Sequence, residues 1–363
     1  MPNDRFNFVR KLYQYSIWPS VDNYIRTKAC DFPVVVDLDI TTFCDLKCPE
    51  CISRPVLNTT SFDEKKLFSL VDDIIKMGVK AVVLIGGGEP LLHKKASDVI
   101  SILGDAGVKI GLVTNGTLLH KHMNAVSKYV SWTRVSVDAG KEETYNLFRP
   151  TKKTTSGFYS VINNMKALAL TKTGDLGYSF LLMSRKNGES NYSEVEDAVI
   201  LAKKIGCDYF ELKGMFDENH NIIKCADSSL MGVDDMLVNL EKYQDDNFKV
   251  FSSFSCNEMF CRKPAQEKNY FICPTAELRC TITPHGVYPC AYHRNDESMK
   301  IGDVRENSFK YIWNNKKKKV NPSKDCLFEC ARHQLNKEIF KIGNLYAQGE
   351  KNHNQVEDYD LFV

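Results

Sequence analysis

The sequence predicts an α/β protein built on parallel strands, followed by a small cysteine-rich α+β region. Two observations carry this. From about residue 34 to 215, short β-branched runs alternate with amphipathic helical segments in six βα-type repeats. Past residue 216 the long apolar runs give out, and seven of the 13 cysteines crowd between Cys256 and Cys330.

The elements follow in order. Residues 34–40 read as the first strand. A helix over 64–77 comes next, with Leu67, Leu70, Val71 and Ile74 on one face and Gly78 as its stop. Strands over 81–85, 108–113, 132–138, 177–183 and 208–212 alternate with helices over 94–106, 118–128, 158–170 and 195–205. A six-unit partial barrel and an open doubly wound sheet both fit this spacing. One more helix is expected over 231–243, the lysine run over 316–319 reads as a solvated face, and the polar, acidic tail over 348–363 reads as loosely held.

Composition narrows the function classes. With 48 Lys and Arg against 46 Asp and Glu the chain is nearly neutral, so nothing points to nucleic acid as a partner. No run approaches the roughly eighteen apolar residues of a membrane span, and the first residues do not form a signal peptide. The expected location is cytoplasmic. In a reducing compartment, closely spaced cysteines are metal ligands or catalytic groups more often than disulfides.

Cys44, Cys48 and Cys51 follow directly on the first strand, in a loop at its C-terminal end, where parallel α/β folds place their chemistry. Thiolates suit iron–sulfur clusters and zinc. Three thiolates on a four-iron cube leave one iron open, whereas a closed zinc site needs a fourth ligand from elsewhere. Three further motifs end successive strands: Gly86-Gly87-Gly88-Glu89-Pro90, Thr114-Asn115-Gly116, and Val135-Ser136-Val137-Asp138. Glycines there admit a ligand close to the backbone.

Over residues 34–215 these four signals resemble the radical S-adenosylmethionine (SAM) superfamily. The resemblance implies a partial (β/α)6 TIM-like barrel. It also implies a [4Fe-4S] cluster on Cys44, Cys48 and Cys51 whose open iron binds the amino and carboxylate groups of SAM. Gly86, Gly87, Gly88 and Glu89 would meet the methionyl group, and Thr114, Asn115, Ser136 and Asp138 the rest of the cofactor. Reductive cleavage would then give a 5′-deoxyadenosyl radical that abstracts a hydrogen atom, with a flavodoxin- or ferredoxin-type reductant supplying the electron. The residue before the third cysteine is usually aromatic in that family and here is Glu50, whose role stays open. Arg185 is a candidate partner for the methionyl carboxylate, with an exposed structural arginine as the alternative.

The segment from Cys273 through Cys280 to Cys290, with Cys326 and Cys330 downstream, resembles a SPASM or twitch domain. That resemblance implies one auxiliary [4Fe-4S] cluster on Cys273, Cys290, Cys326 and Cys330. Cys280 alternates with Leu278 and Ile282, reads as a buried core thiol, and is the reserve ligand. Cys256 and Cys261 are candidate hydrogen-atom donors, and His293 is the best candidate among the histidines for substrate contact. The implied organisation is an N-terminal extension (1–33), the radical SAM core (34–215), a connecting helix and strand (216–255), the auxiliary-cluster domain (256–335) and a tail (336–363).

The stretch before Val34 is too short for a leader-binding domain, and no cobalamin-binding domain is present. The expected substrate is therefore a small, polar, sugar- or nucleoside-like molecule undergoing dehydrogenation, epimerisation, dehydration or decarboxylation. A ribosomally made peptide is the runner-up. A zinc-binding scaffold protein is the alternative of another class.

Overall fold

The computed structural model describes residues 8–151, 157–185, 187–215, 238–252, 268–317, 319–328, 330–349 and 355–363. Its strands are β1 (Val35–Leu38), β2 (Ala81–Leu84), β3 (Lys109–Thr114), β4 (Val130–Ser136), β5 (Asp175–Leu182), β6 (Tyr209–Gly214), β7 (Lys249–Ser252), β8 (Arg279–Thr283) and β9 (Gly286–Tyr288). All belong to one sheet in the order β7-β6-β5-β4-β3-β2-β1-β8-β9. Neighbours from β7 through to β8 are parallel, and β9 folds back antiparallel on β8.

Alternate residues of each strand meet different surroundings, as the pleat requires. Val36, Leu38, Val82, Leu84, Ile110, Leu112, Tyr178, Phe180, Phe210 and Leu212 pack into the main core with the crossover helices. Helix Glu64–Met77 is typical: Asp63 caps its first turn by accepting from the Lys66 N–H, and Gly78 ends it in the left-handed region at φ 85°. The opposite residues, Asp37, Val83, Val113, Arg134, Glu211 and Lys213 among them, line a cavity. A sheet covered on one face and enclosing a chamber on the other is a partial barrel. That resolves the two architectures the strand spacing leaves open.

Three findings depart from the sequence expectation. First, the cysteine-rich region does not stand apart: its hairpin β8–β9 extends the barrel sheet, with Val36 opposite Cys280 and Leu38 opposite Ile282. Second, residues 355–363 are held firmly. Lys11 Nζ lies 2.9 Å from Asp360 Oδ2 and donates to the Phe362 carbonyl at 3.1 Å. Gln14 Oε1 accepts from the Tyr359 and Asp360 N–H groups. Phe362 and Val363 are buried with Val35, Ala81 and Val83, Phe362 meeting Trp132 edge to face. A polar composition concealed two apolar anchors at the end of the segment. Third, Lys316 leaves the lysine run, lying 3.1 Å from Glu277 and over the Trp313 ring, while Lys317 and Lys319 are exposed as expected.

The helices Trp18–Thr27, Glu142–Phe148 and His333–Ala347 were not expected. The last runs across the proposed boundary between cluster domain and tail. Its signal was in the sequence, since Leu335, Ile339 and Ile342 recur at helical spacing and are buried. Of the expected helix over 231–243, residues 231–237 lie outside the described residues.

Candidate functional site

The loop carrying Cys44, Cys48 and Cys51 is fixed at several points. The Cys44 N–H donates to Asn58 Oδ1 at 3.1 Å. Asp45, which sequence reasoning passed over, accepts from Asn115 Nδ2 at 2.8 Å and from Thr117 Oγ1 at 2.7 Å. The Lys47 N–H reaches the Pro150 carbonyl. Glu50 is gripped by Arg185 through two bonds, Nε to Oε1 at 2.6 Å and Nη2 to Oε2 at 3.1 Å. Cys48 lies within electrostatic reach of both Cys44 and Cys51. Burial pushes the Cys44 thiol up to about 12, so its thiolate form depends on a cation such as cluster iron.

The loop after β2 lies against this one. A side chain at Gly88 would collide with the backbone of Thr42 and Phe43, so only glycine fits there. Glu89 is buried and accepts from Thr114 Oγ1 (2.6 Å), the Asn115 N–H (2.7 Å) and the Leu91 N–H (3.1 Å). It thereby ties the end of β3 to the end of β2, although burial still raises its pKa to about 7. Asn115 Nδ2 sits 4.0 Å from Cys44 Sγ. Asp138, at φ 61°, is equally enclosed: Arg149 Nε donates to its Oδ2 at 2.6 Å and the Leu181 N–H to its Oδ1 at 2.7 Å. Ser136 stands on the concave side of β4, opposite Ser179 of β5.

Arg185 has less freedom than the sequence suggests. Besides Glu50 it holds Glu189 (2.7 Å) and the Leu147 carbonyl (3.3 Å), with its guanidinium over the Phe148 ring. In this structure Arg185 is a clamp on the loop that carries Cys48 and Cys51.

The second cysteine set also assembles. Cys273 lies within electrostatic reach of Cys290 and Cys330, and Cys326 within reach of all three. Cys273, Cys326 and Cys330 share a small apolar cluster with Met299, Val320, Phe328 and Tyr292. Cys280 is elsewhere, fully buried on β8 in the main core. His293 Nε2 lies 3.5 Å from Cys326 Sγ and also lines the cavity. All ten described cysteines are free thiols. Cys256 and Cys261 lie outside the described residues. Among the described residues, no three His, Cys, Asp or Glu side chains converge closely enough to ligate one metal ion; thiolates on separate irons of a cube stand farther apart than ligands around one ion.

Two arginines that follow second-set cysteines reach β1. Arg294 Nε lies 2.9 Å from Asp39 Oδ2, an ion pair whose angle falls outside a directed hydrogen bond. The same Oδ2 accepts from the Gly87 N–H at 2.9 Å. Arg332 lies 3.6 Å from Asp37, which Arg279 also holds at 2.6 Å and 3.0 Å. Burial pulls Asp37 upward, but these arginines bring it below the usual carboxylate range. Asp39 keeps a buried Oδ1 with no partner, and burial raises it to about 7.

Comparison with known proteins decides the family. Residues 38–182 match the family model of the radical SAM superfamily, and residues 273–338 match the SPASM iron–sulfur cluster-binding domain. The chain is a radical SAM protein with a C-terminal SPASM domain. Its radical SAM domain implies a [4Fe-4S] cluster with SAM, and its SPASM domain implies auxiliary iron–sulfur ligation. The donor sets fit both: free thiols in two groups, the first packed closely against the glycine loop.

Fe-coproporphyrin III synthase of Methanosarcina barkeri is 35% identical over 126 residues, covering 33% of this chain and 30% of its own. The antilisterial bacteriocin subtilosin biosynthesis protein AlbA of Bacillus subtilis is 24% identical over 294 residues, covering 78% of this chain and 60% of its own. The chain thus spans 30% and 60% of the length of these two relatives. Streptococcus suis SuiB, solved bound to its precursor peptide SuiA, shares the fold with a TM-score of 0.61 at 15% identity, covering 83% of this chain and 69% of that one. Among the described residues, no helix is long and apolar enough to cross a membrane.

Proposed function

We propose that this radical SAM–SPASM protein is an enzyme that abstracts a hydrogen atom from a peptide substrate held inside the barrel. The observation that carries this is the cavity of about 1990 Å³ on the concave side of the sheet. Its wall runs from Glu50 and Cys51 at the first cysteine loop to Tyr292, His293 and Arg294 beside the second set. Small-molecule sites occupy roughly 300–1,000 Å³, so this chamber has room for SAM and a further segment of chain. A relative aligned along 78% of the chain belongs to bacteriocin biosynthesis, which favours a peptide over the sugar-like substrate that the sequence suggested.

When bound, the cluster and SAM supply a 5′-deoxyadenosyl radical able to remove hydrogen from an unactivated C–H bond. The chain's own residues hold the geometry. Cys44, Cys48 and Cys51 would carry the catalytic cluster, and Cys273, Cys290, Cys326 and Cys330 one auxiliary cluster. Glu89 fixes the Thr114–Asn115 turn against the glycine loop, while Arg185 and Asp45 fix the cysteine loop. A flavodoxin or ferredoxin is the proposed reductant.

The test is anaerobic incubation with dithionite and SAM, with candidate precursor peptides and small polar molecules supplied in parallel. Release of 5′-deoxyadenosine stimulated by peptides, with a mass change in the peptide, supports the reading. Stimulation by the small molecules alone restores the sugar-like alternative.

A further inference from the structure

The concave wall of β4, β5 and β6 carries donors that the fold leaves without acceptors. Arg134 and Lys213 both line the cavity. Arg134 Nη1 donates to Glu211 Oε2 at 3.1 Å, while its Nε is buried with no partner. Lys213 Nζ comes no closer to Glu211 than 4.0 Å, beyond hydrogen-bond range. Between them on β5, Ser179 Oγ is buried and unpartnered. Strand alternation puts Ser179 on the same face as Asp175, which lines the cavity.

Register brings these groups into one patch: Ser136, Ser179 and Glu211 stand abreast, Gly177 beside Arg134 adds no side chain, and Lys213 lies one step above. Glu211 accepts one hydrogen bond from Arg134 and none from Lys213, so both cations keep donors to offer. Burial, reinforced by Arg134, pulls Lys213 down to about 8. A half-enclosed ammonium without an acceptor is costly unless a ligand supplies one.

We infer that this wall is a subsite for an oxyanion of the substrate, a carboxylate or a phosphate, received by Arg134 Nε, Lys213 Nζ and Ser179 Oγ. It rests on the reading of the cavity as the substrate chamber. Cys51 lines the same cavity, so a substrate anchored by its anion on β4–β6 extends towards the first cysteine loop.

The test measures binding without turnover, so its failure leaves SAM cleavage untouched. Inorganic phosphate and glutarate are titrated calorimetrically into anaerobically reconstituted holoenzyme, then into Arg134→Gln and Lys213→Met variants with unchanged iron content. At least one probe should bind saturably and lose tenfold or more in affinity in each variant, while the SAM dissociation constant stays within about threefold. The tighter probe names the substrate's group. In the wild-type protein, which removes any question of folding, the same probe should protect Lys213 from reductive methylation, read by peptide mass spectrometry. Equal probe affinity in wild type and variants, absence of protection, or a loss of SAM affinity in place of probe affinity would each overturn the assignment.

Discussion

Arg185 grips Glu50 with two hydrogen bonds, at 2.6 Å and 3.1 Å, and so fastens the residue before Cys51 to the segment just past β5. An aromatic residue at that position would offer a flat apolar surface. A carboxylate held by a guanidinium instead makes the cysteine loop part of the barrel rim. The pair is partly exposed, so its net worth is about 1–2 kcal/mol. Glu50→Ala and Arg185→Ala should each weaken SAM binding five- to thirtyfold with iron retained, and exchanging the two residues should restore part of it. Calorimetric SAM titration of the three variants checks this; equal affinity throughout would show that the clamp does not position the cofactor.

The four second-set cysteines should behave as one unit. Cys273→Ser, Cys290→Ser, Cys326→Ser or Cys330→Ser should each lower the iron content by up to roughly four per chain. Cys280→Ser places a hydroxyl in an apolar core, costing about 1–3 kcal/mol, and leaves iron unchanged. Iron loss on changing Cys280 but not Cys273 would reverse the assignment.

Two buried carboxylates, Asp39 and Glu89, have pKa values raised to about 7. The folded state therefore holds their protons more tightly than the unfolded chain. Their contribution to stability is greatest below the ordinary carboxylate pKa near 4, falls as pH rises towards 7, and is level above that. Asp39→Asn should flatten this slope without abolishing it, since Glu89 remains. Urea unfolding at about pH 5.5 and about pH 7.5 reads the difference; an unchanged slope would mean that Asp39 is ionised in the fold.

The end of the chain should matter to stability. Phe362 is buried against Trp132, so Phe362→Ala should cost about 3–5 kcal/mol and lower the melting temperature by several degrees. A wild-type melting temperature would show that the segment is as loosely held as its composition suggests.

Much of this was legible because the chemistry sits at strand ends. The β-branched runs around Val36, Val82, Ile110 and Val135 have periods set by the pleat, and the motifs after them fell where parallel strands place ligands. What escaped depends on partners distant in sequence. Nothing around Glu50 announces Arg185, 135 residues away. Asp37 and Asp39 look like ordinary polar residues in a strand until Arg279, Arg294 and Arg332 arrive beside them. Polar groups on a barrel's concave face break the apolar run without revealing their counter-ions. The tail was misread for a related reason: its acidic residues meet Lys11 and Gln14, near the other end of the chain.

Cys44, Cys48 and Cys51 stand outside the main core, so a variant with all three changed to alanine should keep its fold and its auxiliary cluster. The decisive measurement is 5′-deoxyadenosine formation from SAM by anaerobically reconstituted, dithionite-reduced protein, with iron and sulfide counted in the same sample. The account predicts roughly eight irons and eight sulfides per wild-type chain, falling to about four of each in the triple variant. It also predicts 5′-deoxyadenosine from the wild type and none from the variant. Zinc without sulfide in the wild type, or undiminished 5′-deoxyadenosine from the triple variant, would contradict it.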